Sequence, residues 1–89
     1  LVAAANRYGA RIANARGVPE SQIMAAIKLG ICKVNTDTDI RIAFMAAVRK
    51  VLSENRSVYD PREILSPATD AMKEVVMRRI RVLGSENKA

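Results

Sequence analysis

A single short β-type segment, Ile31-Cys32-Lys33-Val34-Asn35, stands among stretches that otherwise read as helix. A strand needs a neighbouring strand, and this chain offers no second candidate. The segment follows Gly30 and precedes the polar run Thr36-Asp37-Thr38-Asp39, so it reads as a short buried strand. With helices on both sides, it is expected to be the last strand of a parallel α/β sheet or barrel whose other strands lie upstream. Strand alternation predicts Ile31, Lys33 and Asn35 on one face and Cys32 and Val34 on the other.

The helices carry clear punctuation. Residues 1–8 read as the end of a helix stopped by Gly9, so the chain is expected to begin elsewhere. A basic loop over 9–18 follows, marked by Gly9, Asn14 and Gly17. Pro19 and Glu20 suit a helix start, Ile23 and Ile27 mark its apolar face, and Gly30 ends it. The clearest helix covers 39–54, with Thr38 or Asp39 as cap and Ile40, Phe44, Ala47, Val48 and Val51 on one stripe. A polar connector leads to Ser66 and Pro67, which are predicted to open a last helix lined by Met72, Val76, Ile80 and Leu83 and stopped by Gly84.

Composition limits the chemistry. Hydrophobic residues make up 49% of the 89, which indicates globular material, yet Phe44 and two tyrosines are the whole aromatic complement. Such a core is thin, and several apolar faces are expected to need a partner. A net charge of +6 suits a nucleic acid, a membrane surface or a phosphorylated small molecule. The single cysteine, Cys32, excludes an intrachain disulfide and fits a reducing compartment. Histidine is absent, which removes Cys–His nucleophile pairs and Cys/His metal clusters from this chain.

The most informative stretch is KVNTDTDIR, residues 33–41, where a strand end runs straight into a helix start. First-turn amides are unpaired donors at the positive end of the helix dipole, and in barrels such junctions face the active site. Asn35, Thr36 and Thr38 add groups that could bind an oxyanion or a sugar hydroxyl, although the same residue types are ordinary turn and cap residues. The alternation of Asn35, Asp37 and Asp39 is not a calcium loop, because Ile40 takes the place of the required Gly and Ala46 that of the bidentate Glu. Arg41 opposes the dipole, so it either binds an anion or is neutralised by Asp37 or Asp39. Lys33 points into the expected barrel, as a Schiff-base nucleophile or, preferably, paired with a buried carboxylate. Arg78, Arg79 and Arg81 read as a solvated helix face, and Arg62 on local grounds as a loop arginine.

KVNTDTDIRIAF, ENRSVYDPREIL and PATDAMKEVVMRRIRVLGS together resemble the C-terminal third of class II fructose-bisphosphate aldolases, and GVPESQIMAAIKLGICKVN resembles the lead into that motif. The resemblance covers nearly all of residues 1–89 and implies the C-terminal portion of one (β/α)8 barrel domain. It implies reversible cleavage of fructose 1,6-bisphosphate to dihydroxyacetone phosphate and glyceraldehyde 3-phosphate. It also implies a zinc ion held by histidines upstream of this chain, with room for a monovalent cation, so the segment alone is expected to be inactive. By the motif, Asn35 would contact the dihydroxyacetone portion, Asp37 and Thr38 its phosphate and neighbouring hydroxyls, and Arg41 the phosphate at the other end. Arg62 would reach that second phosphate from an adjacent subunit. The implied partners are a phosphosugar, the remainder of the aldolase chain and further copies in a homodimer or homotetramer, in the cytoplasm, with neither nucleic acid nor membrane. Related tagatose-bisphosphate aldolases usually carry Ala at the position of Asp37, which favours fructose; Thr36 departs from the usual Val or Ile. A small basic helical module that binds nucleic acid is the rival of another class, weakened by the lack of aromatics among the positive charges.

Overall fold

The computed structural model describes residues 1–13 and 17–88. Four helices follow one another: α1 Val2–Arg7, α2 Glu20–Lys28, α3 Thr38–Glu54 and α4 Pro61–Val82. The basic loop expected over 9–18 lies partly outside the described residues, with Asn14 among those not described.

Local signals account for most boundaries. Glu20 sits in the first turn of α2 directly after Pro19, as the dipole favours. The same helix ends where Gly30 adopts φ +109°, a left-handed conformation costly for any residue with a Cβ. There the Ile31 amide donates to the Ala26 carbonyl and the Gly30 amide to that of Ile27, which satisfies two end carbonyls. α1 and α4 likewise stop just before Gly9 and Gly84.

Three expectations are corrected. No strand forms among the described residues, and Ile31, Cys32, Lys33 and Asn35 are exposed where a buried strand was predicted. A strand is completed by a neighbour's backbone about 4.8 Å away, and nothing among the described residues supplies one. The described residues are therefore all-helical in their regular structure, in a segment expected to be mostly helical with one strand. The last helix opens at Pro61, not Ser66. The Asp60 side chain accepts from the Arg62 amide, Pro61 takes the first helical position, and Pro67 lies inside the helix. The buried stripe of α4 is also rotated. Val76 and Ile80 are exposed, while Ala68, Met72, Val75, Arg79 and Val82 are buried or half-buried.

α3 is the central element and packs against both α4 and α1. Its predicted stripe, Ile40, Phe44, Ala47, Val48 and Val51, is only half-buried; its buried residues are Ile42 and Ala43. Covered on two sides, α3 buries positions that a one-sided stripe would leave wet. Ile42 joins Ala5 and Ala10 in a small core edged by Val2, Ile12 and Ala46. The buried apolar residues are Ala5, Ala10, Ile23, Ile42, Ala43 and Ala68, mostly alanine, so little area leaves water. The extents, 50 × 31 × 14 Å, are those of a plate about one helix thick. The radius of gyration is 15.3 Å, against about 12 Å for a compact domain of this length. Leu29 (88% exposed), Val18, Met24 and Ile31 leave an apolar surface on the α2 side.

Candidate functional site

The turn between Gly30 and α3 forms one wall of a cleft of about 460 Å³. Asn35, Thr36, Asp37 and Thr38 line it from that wall, with Asp39 from the first turn of α3 and Arg79 from α4. Asp37 is the residue preceding α3, yet no side chain caps the helix among the described residues, so there the first-turn amides keep their donor capacity. Three of the predicted site residues, Asn35, Asp37 and Thr38, thus converge on one cavity beside an open helix N-terminus.

The two predicted arginines lie outside that lining. Arg41 donates from Nε to Asp37 Oδ1 at 2.9 Å, one helical turn back, with both side chains mostly exposed. Asp37 is thus the ion-pair partner of Arg41 across one helical turn, and Arg41 keeps most of its surface open to solvent. Arg62 stands at the start of α4, 90% exposed, and forks onto Asp60, donating from Nη2 to Oδ2 at 2.7 Å and from Nε to Oδ1 at 3.1 Å. The hydrogen bond from the Arg62 side chain, then that from its amide, holds the Asp60 carboxyl below the ordinary carboxylate value. Lys33 lines the cleft but is exposed, and no carboxylate pairs with it among the described residues, contrary to the expected buried pair.

The late arginines divide. Arg78 is solvated, as expected, and grips Glu20 at 2.6 Å, tying α4 to α2 and holding the Glu20 carboxyl below its ordinary value. Arg79 is only 11% exposed, and its Nη2 donates to Asp39 Oδ2 at 2.6 Å. The reading of Arg79 as a solvated residue is thereby corrected. A signal was available, because Arg79 falls in helical register with Ala68, Met72, Val75 and Val82.

A metal does not fit these residues: histidine is absent, and no group of three His, Cys, Asp or Glu converges among the described positions. No helix among them is long and apolar enough to cross a membrane.

A polar turn feeding an uncapped helix start, next to an inward arginine, is chemistry suited to holding an oxyanion. The family model described as Fructose-bisphosphate aldolase class-II matches residues 13–88, and the chain belongs to that family. Among individual relatives, it is 48% identical over 81 residues to the fructose-bisphosphate aldolase of Thermus caldophilus, covering 91% of this chain and 27% of that protein. It is 51% identical over 80 residues to that of Helicobacter pylori, covering 90% and 26%. The Giardia intestinalis enzyme is 42% identical over 84 residues, covering 94% and 26%. The chain thus spans about a quarter of the length of the curated relatives it matches.

Proposed function

We propose that this chain is the phosphosugar-holding C-terminal segment of a class II fructose-bisphosphate aldolase, part of a single (β/α)8 barrel domain in a cytoplasmic homodimer or homotetramer. The reaction is the reversible cleavage of fructose 1,6-bisphosphate to dihydroxyacetone phosphate and glyceraldehyde 3-phosphate. The observation that carries the reading is the convergence of Asn35, Asp37 and Thr38 on one cleft at the uncapped start of α3, in a chain of this family. In this reading the first-turn amides and Thr38 hold the phosphate of dihydroxyacetone phosphate. Asn35 orients the carbons next to it, and Asp37 accepts from a sugar hydroxyl. Arg41 and Arg62 serve the other phosphate, Arg62 from a neighbouring subunit.

Zinc supplies the electrophile in this family's chemistry, and its ligands are to be sought outside this chain. The segment's own work is binding and orientation. Fructose is favoured over tagatose because Asp37 offers a carboxylate to the hydroxyl that distinguishes the two sugars.

The test is calorimetric titration of the full-length protein with dihydroxyacetone phosphate. Asn35→Ala and Thr38→Ala should each weaken binding about tenfold or more, the scale of a lost hydrogen bond to a charged group. Unchanged affinity in both variants would refute the reading.

A further inference from the structure

Asp39 is held from two sides. Arg79, forty residues away in sequence, donates from Nη2 to Asp39 Oδ2 at 2.6 Å. Against the same carboxylate lies the bare backbone of Gly17, where an added Cβ would stand 3.0 Å from Oδ1 and 3.2 Å from Oδ2. The pair is partly buried, with side-chain exposures of 11% for Arg79 and 27% for Asp39, so breaking it leaves a charge poorly solvated. Among the described residues, Arg79 Nη1 is buried without a hydrogen-bond partner, and Asp39 is the carboxylate that the guanidinium hydrogen-bonds. Asp39 follows Thr38 directly in the first turn of α3. Turning α3 by one residue, about 100°, would carry its carboxylate off the guanidinium.

We propose that Arg79 is a positioning residue for the turn at residues 35–38, acting through Asp39 with Gly17 as the backstop. The pair fixes the rotation of α3 about its axis, and with it the direction of the first-turn amides and the Thr38 side chain. Tension from one side and contact from the other leave the helix start little freedom, which is what a geometry-sensitive oxyanion site needs. The proposal rests on the reading that this turn holds the substrate phosphate.

The experiment uses the full-length protein, with dissociation constants for dihydroxyacetone phosphate and melting temperatures measured for each variant. Arg79→Gln and Asp39→Asn should each raise the dissociation constant about tenfold, with the double variant no worse than the poorer single one, as expected of two residues acting as a unit. Arg79→Lys should recover part of the loss, because it restores the charge but not the fork. Gly17→Ala, which pushes on Asp39 from the opposite side, should weaken binding in the same direction. In turnover assays the change should fall on KM more than on kcat. A lower melting temperature with wild-type affinity in Arg79→Gln would overturn the proposal, as would additive losses in the double variant. If Arg79→Gln fails to fold, the isosteric Asp39→Asn carries the same test. Asn35→Ala, run in parallel, separates the two claims. If it leaves affinity unchanged, the phosphate reading fails; if it weakens binding while Arg79→Gln and Asp39→Asn do not, the positioning role alone fails.

Discussion

Replacing Asp37 by alanine separates a structural role from a substrate role, because the structure sets the two magnitudes apart. Asp37 gives α3 no side-chain cap, so no cap energy is lost. Its one ion pair among the described residues, to Arg41, is a solvent-exposed pair one turn apart, with side-chain exposures of 79% and 68%. Such pairs contribute about 0.3–0.5 kcal/mol, a shift of about 2 °C or less in the melting temperature of a large domain. A hydrogen bond from a substrate hydroxyl to a carboxylate is worth about 1.5–3 kcal/mol, which is roughly 10- to 150-fold in kcat/KM. The assay is steady-state cleavage of fructose 1,6-bisphosphate and of tagatose 1,6-bisphosphate by the full-length protein, with calorimetric melting alongside. Asp37→Ala should leave melting nearly untouched and lower kcat/KM for the fructose substrate well beyond that for the tagatose one. Equal losses on both sugars, or a large fall in melting temperature with unchanged selectivity, would refute the assignment and leave Asp37 a surface partner of Arg41.

Further outcomes follow from the start of α4. Arg62→Ala should raise KM for the bisphosphate about tenfold or more, since a planar fork onto phosphate is lost, while enolisation of dihydroxyacetone phosphate changes little. Mixing Arg62→Ala subunits with subunits inactivated at the metal site should restore near-normal KM, and failure to do so in proven heterodimers would place Arg62 within its own chain's site or in none. Asp60→Ala should speed hydrogen exchange of the Arg62 amide, which donates to Asp60 Oδ1 at 2.9 Å. The pH dependence has a definite sign. The Asp60 carboxyl is held below its ordinary value of 3.8, so the cap's contribution is fully present above that pH and fades as pH falls through the lowered value. Protection of the Arg62 amide, corrected for intrinsic exchange, should therefore stay flat from neutral pH down to about 4 and drop only below it; loss already at pH 5–6 would contradict the cap.

Residue patterns alone carried the helix positions well. α2 opens beside Pro19 and Glu20 and closes at Gly30, and α3 runs within a residue of its predicted span. Helices are legible because their hydrogen bonds join residues four apart and their ends are marked by local side chains. The polar turn at 35–38 was legible for the same reason, and its family pattern is a contiguous string. The start of α4 was misplaced because two capping signals compete within seven residues. Asp60-Pro61 prevails over Ser66-Pro67, and the helix carries the second proline inside it.

What residue patterns could not supply is every feature that depends on a distant partner. The segment 31–35 has strand composition, but strand formation belongs to a pair of segments and this chain holds only one. α3 buries Ile42 and Ala43 because α1 and α4 both approach it, a geometry that its own periodicity does not contain. Arg79 read as one of three solvated arginines, and only the packing of α4 on α3 turned it inward onto Asp39. The sequence by itself determined which residues form helices, which turn is polar and to which family the chain belongs, because these are written in neighbouring residues. The tertiary structure decided which faces are dry and which charges meet, because burial and ion pairing are set by residues brought together from up to 58 positions apart.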